Sequence, residues 1–114
     1  MEIDKVDVLE LTRKLGREPN LKTALLIIQW EVGDLAKSIV YADWHPDLAS
    51  VYKEEAKEAL SALIFQANVV AALFNVTPGE LLDRGIEAVE DRIKEMEKKV
   101  GRFQHYKGGQ DARE

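Results

Sequence analysis

The sequence predicts an all-α fold: an antiparallel helical hairpin, completed to four-helix-type packing in a homo-oligomer. Three observations point there. Apolar residues recur at helical spacing in successive segments, and no segment alternates as a half-buried strand would. The two central segments are long and joined by a loop of a few residues, which makes them antiparallel neighbours. Their apolar residues cover more than half of each helix, so one neighbour cannot bury them all and a second chain is expected to.

The elements follow in chain order. "VDVLELTRKLG" places Val8, Leu11 and Leu15 at helical spacing, with Gly16 as the C-terminal stop. "REPN" is a connector. A long apolar helix is expected over about Leu21 to Ala42. "DWHPD" ends it, because Pro46 disfavours helix at the residue before it. A second long helix is expected from Leu48 or Ser50 to Phe74. In "NVTPGELL", Thr77 suits an N-cap, Pro78 the first helical position and Glu80 the reciprocal partner of a capping box. The last helix is expected over about Pro78 to Val100, with continuation to His105. Residues 1–105 thus read as one helical domain and 106–114, which include "GGQDARE", as a frayed tail.

Composition bounds the function. A chain of 114 residues suits one domain with a modest core. It has no cysteine, which excludes disulfides and thiolate metal sites. The net charge of −5 argues against a nonspecific duplex-binding surface, which needs clustered Lys and Arg. A nucleotide held through a metal remains compatible, since carboxylates hold the cation and the cation holds phosphates. No signal peptide and no membrane-spanning segment is expected, which gives a cytoplasmic location by default.

The chemistry lies in the acids of the hairpin. A helix advances about 100° per residue, so with Ala24 at zero Glu31 falls only about 20° away, inside the apolar stripe. Asp34 lies about 60° further round, and the i,i+3 spacing lets the two carboxylates converge. On the next helix Val51, Ala62, Phe65, Val69 and Leu73 define an inward stripe, and Glu55 and Glu58 lie on it, again three residues apart. Asp34 precedes Ala42 by eight residues and Glu58 follows Ser50 by eight, so both sit at one height in the hairpin. Small residues, including Ala24, Ala36, Ala59, Ala62 and Gly33, let the helix axes come close. Four carboxylates are thus expected to face one another with no basic residue on the same stripes. A hard divalent cation with oxygen ligands, Mg²⁺ or Mn²⁺, relieves the repulsion. No histidine joins these pairs, which counts against a di-iron site of the Glu-x-x-His kind. Solvated acids paired with Lys and Arg are the ordinary alternative.

These residues carry a resemblance. "EVGDLAKSI", followed about twenty residues later by "EEAKEAL", resembles the MazG-like all-α nucleoside triphosphate pyrophosphohydrolases, relatives of the dimeric dUTPases. The family pattern is Glu-x-x-Glu on one helix and Glu-x-x-Asp on the next. Glu31, Asp34, Glu55 and Glu58 fall on its four acids, and "ANVVAALFNVTPGELL" is similar to the stretch leading into the family's next helix. The likeness spans roughly residues 20–103. It implies a homo-oligomer, dimer or tetramer, in which Mg²⁺ held by these four acids binds a nucleotide triphosphate. The implied products are a nucleoside monophosphate and pyrophosphate, with Glu31 or Glu55 as general base. It also implies cations on the later helix that meet the phosphates, for which Lys94, Lys98 and Arg102 are candidates at one helical spacing. Three departures mark this chain. Asp34 and Glu58 exchange the family's acids, Trp30 stands where an acid is common, and no Asn matches the family's later one.

Among the aromatic residues Trp30, Tyr41, Trp44 and Phe65 are candidates to stack on a base, or else core and interface residues. Trp44, beside His45 in the hairpin loop, is the preferred one because loops carry recognition. His45 and His105 stand alone, without a partner constellation for catalysis. No glycine-rich phosphate loop is present. The rival to the enzyme is an inactive relative or a helical interaction module whose acids meet basic residues of another chain.

Overall fold

The computed structural model describes residues 7–106, with side chains described through residue 101. The stretch read as a tail thus falls, from residue 107 on, outside the described residues. Helix α1, Val8–Lys14, is short and well closed at both ends. Asp7 caps it, its carboxylate accepting from the Glu10 amide at 3.1 Å. At the other end the Gly16 amide donates to the Arg13 carbonyl and the Arg17 amide to the Thr12 carbonyl. That pair of bonds is a Schellman closure, and it needs the left-handed φ of 93° that Gly16 adopts.

Helix α2, Leu21–Trp44, starts where expected, with Asn20 accepting from the Thr23 amide at 2.9 Å. It ends two residues later than expected, because Pro46 restrains only His45, which is non-helical at φ −126° and ψ 75°. A 3₁₀ turn, Pro46–Leu48, leads directly into α3, Ala49–Leu73. The end of α3 repeats the closure of α1, with Asn75 in the left-handed position at φ 63°. Helix α4, Pro78–Tyr106, begins immediately after Thr77 and runs to the end of the described chain. The described residues are all-helical with their connectors and contain no strand.

Helices α2 and α3 form the antiparallel hairpin, and α1 packs on α3. The seam of the hairpin is made of small and polar residues: Ala24 and Ser38 from α2, and Ala59, Gln66 and Val69 from α3, all buried. Val69, 1% exposed, is the largest fully buried side chain. It joins Val8 and Ala24 in a core flanked by Phe65, Val70 and Leu73. Val51, expected on the inward stripe, is 53% exposed. The seam instead passes through its neighbour Tyr52 and through Ala56 and Ala59, about 100° away, where small side chains allow close approach. Gly33 also lies off the seam: a Cβ there would meet nothing within 4 Å.

Many large apolar side chains stay exposed, among them Val32, Ile39, Leu60 and Ile64 of the hairpin. By length and composition one described stretch, Pro46–Leu73, is long and apolar enough to cross a membrane, where none was expected. Lys53, Glu54, Glu55, Lys57 and Glu58 lie in its first half, α2 packs along it, and 22% of its most apolar window is buried. The chain divides into two compact units, Met1–Pro78 with the hairpin and Gly79–Glu114 with α4.

Candidate functional site: an acidic groove beside an apolar pocket

The groove lies along the seam between α2 and α3. Ser38 of α2 and Ala59 and Ala62 of α3 form its floor, too small to fill the space between the helices. Acids one and two turns before Ser38, and beside and one turn before Ala59, line the same groove. Glu31 and Asp34 come from α2 and Glu55 and Glu58 from α3, and all four line one groove of about 400 Å³. The i,i+3 pairs of both helices therefore lie on the same side of the hairpin.

The groove is wetter than the sequence suggests. Glu31 is half-buried, but Asp34, Glu55 and Glu58 are exposed. Water reaches them because the small floor residues leave the groove open. The expectation that no basic residue shares the stripes is also corrected: Lys37 lines the groove. It is three residues on from Asp34, so the angular reasoning that found the acids also reaches it. Its ammonium lies 5.9 Å from the centre of the Tyr41 ring and forms no salt bridge with a described acid. None of the four groove acids has an ion-pair partner among the described residues. By contrast Glu54, one residue outside the groove, pairs with Lys57 at 3.1 Å.

Two buried polar side chains complete the site. Ser38 is 6% exposed and Gln66 9%, and neither side chain bonds to a described residue. Buried polar groups are ordinarily satisfied. Ser38 lines the acidic groove, and Gln66 lines an adjoining pocket of about 670 Å³. Glu31 and Ala62 line both cavities, so the two are continuous along one side of the hairpin. The second pocket is mostly apolar, walled by Leu26, Ile27, Trp30 and Phe65, with Arg17 at its edge. Ser38, Lys37, Gln66 and Arg17 were missed in the sequence. Ser38 and Gln66 look like ordinary helix residues until the seam is known, and Arg17 comes from the α1–α2 connector.

Trp44, the preferred stacking residue, lies elsewhere. It is 66% exposed and lines a cavity at the turn with Ile39, Asp43 and Tyr52, which meets the acidic groove at Ser38. There Tyr41 packs against Trp44 at 5.8 Å and edge-on against Tyr52 at 5.5 Å, so the turn aromatics engage one another. Trp30 and Phe65 are the aromatics beside the acids.

Lys94 and Lys98 lie exposed on α4, in the other compact unit, and the Arg102 side chain is outside the described residues. Among the described residues, no group of three or more His, Cys, Asp or Glu is placed so that it could hold a metal ion. The donors are nevertheless of the right chemistry, all carboxylate oxygens on rotatable side chains over an unpaired hydroxyl. No protein-family model, curated protein or solved structure matches the chain.

Proposed function

We propose that this protein is a Mg²⁺-dependent nucleoside triphosphate pyrophosphohydrolase of the MazG-like kind, cytoplasmic and homo-oligomeric, that removes nucleotides from the pool. The observation that supports it best is the meeting of Glu31, Asp34, Glu55 and Glu58 in one groove, with no ion-pair partner among the described residues, next to an apolar pocket bearing Trp30 and Phe65. An anionic groove alone repels a triphosphate, so the acids need a cation to become a phosphate site. The four carboxylates are the residues that would hold Mg²⁺ or Mn²⁺, which when bound neutralises phosphate charge and acidifies a coordinated water.

The chain's own residues divide the rest of the work. Glu31 and Glu55 are the carboxylates suited to take a proton at Oε from the water that attacks the α-phosphorus. As that bond forms, the bond from the α-phosphorus to the bridging oxygen breaks and pyrophosphate leaves. Lys37 is available to meet a phosphate oxygen. The base lies in the apolar pocket, on Trp30 or Phe65, with the Gln66 amide offering a donor and an acceptor to its edge. The likeness to the family also assigns Lys94, Lys98 and Arg102 to the phosphates.

The rival is a helical interaction module, or an inactive relative of the enzyme. It draws on the exposure of three of the four acids and on the apolar surface of the hairpin. A panel of canonical and damaged NTPs and dNTPs, assayed for pyrophosphate release with and without Mg²⁺, separates the two. The enzyme releases pyrophosphate from at least one nucleotide only with the metal, and Glu31→Gln and Glu55→Gln each lower the rate roughly 100-fold or more. Release from none, or full activity in both variants, contradicts the proposal.

A further inference from the structure

Helix α4 carries a seam of its own. Leu82, Ile86, Val89, Ile93, Met96 and Val100 follow one another at steps of four and three residues, and all six are exposed. Those steps are the a and d positions of a heptad repeat, sustained over nearly three heptads. Ile86, Ile93 and Val100 occupy the a positions, where β-branched residues favour two parallel strands. Unbranched-at-Cβ Leu82 and Met96 take two of the d positions, with Val89 between them.

The flanking charges are sorted by position. Asp83, Glu90 and Glu97 occupy the e positions, all acidic, and Arg92 and Lys99 occupy g positions, both basic. In a parallel pair each g residue faces the e residue five further along the other strand, so Arg92 of one copy meets Glu97 of the other. In an antiparallel pair g faces g and e faces e, which sets the acids against acids and the cations against cations. The seam therefore supplies both the apolar surface and a charge code for one orientation.

We infer that α4 is a dimerisation helix that pairs with α4 of a second copy of this chain as a parallel, in-register, two-stranded coiled coil. This does not depend on the reading of the acidic groove. It places Lys94 and Lys98 at b and f positions, on the outer face of the pair.

The chain lacks cysteine, so single cysteines introduced into the full-length protein report the arrangement without background. Leu82→Cys lies at one end of the seam and meets its own copy only in a parallel, in-register pair. Mild oxidation is expected to give a covalent dimer with Leu82→Cys and little with Arg84→Cys, which sits at an outer f position. A Leu82→Cys protein that stays monomeric on a non-reducing gel overturns the inference. Cross-linking of Leu82→Cys protein to Val100→Cys protein, in place of Leu82→Cys to itself, also overturns it by showing an antiparallel pair. A second measurement reads the charge code. Arg92→Glu and Glu97→Arg should each weaken self-association severalfold in sedimentation equilibrium, and the double exchange should restore it. Weakening that adds in the double variant contradicts the g-to-e pairing.

Discussion

The contrast between Glu31 and Glu54 shows how position decides the role of an acid. Glu54 faces solvent and finds Lys57, the common fate of a helix carboxylate. Glu31 sits on the seam, half-buried, and finds no cation among the described residues. Angular arithmetic on the sequence was enough to separate the two. The choice among the aromatics rested instead on Trp44 standing beside the turn, and the sequence alone does not tell which cavity such a residue lines. Trp44 is taken up by the aromatic cluster at the turn, whereas Trp30 lines the pocket next to the acids. Stacking on a base is worth about 1–3 kcal/mol, so Trp30→Ala should raise the KM for a nucleotide substrate about tenfold with a smaller change in kcat. Trp44→Ala should leave KM unchanged. Steady-state kinetics on both variants checks the assignment.

At the scale of elements, helix starts and stops were written plainly in the sequence. Asn20, Gly16 and Pro46 each impose a local backbone state, and the helix ends follow from them within two residues. The facing of α3 was less legible. Val51 and Tyr52 are both apolar enough to be inward, and only the packing of Tyr52 against Tyr41 of α2, at 5.5 Å, selects Tyr52. Gly33 illustrates the same limit. It reads as a small residue that admits a neighbouring helix, yet space around it is open and its φ is not left-handed. Glycine inside a helix costs about 1 kcal/mol relative to alanine. Gly33→Ala should therefore stabilise the protein by about that amount, seen as a higher urea midpoint with an unchanged slope. A loss of stability would place another surface against Gly33.

On the scale of the whole molecule, the hairpin has two unlike sides. One carries the acids and the apolar pocket, and the other presents Val32 and Ile39 from α2 with Leu60 and Ile64 from α3. Those residues are turned about 60–140° from Ala24 and Ala59 of the seam, to the side opposite Lys37 and Glu58. A second hairpin covering that face would complete four-helix packing and leave the acidic groove open. The excess of apolar residues was legible from the sequence, where it gave the expectation of another chain, but which face would stay exposed was not. Leu60→Glu/Ile64→Glu should lower the mass measured by sedimentation while retaining the helical circular dichroism of the native protein. Native mass in the double variant would place the contact elsewhere.

The central claim is that the four acids form one cation site. It is tested most directly by the melting temperature of the native protein and of Asp34→Asn/Glu58→Gln, each with and without millimolar Mg²⁺ or Mn²⁺. A ligand that binds only the folded state stabilises it by mass action, so the metal should raise the native melting temperature by several degrees. It should leave the double variant unmoved. An equal shift in both proteins, or none in either, would contradict the claim.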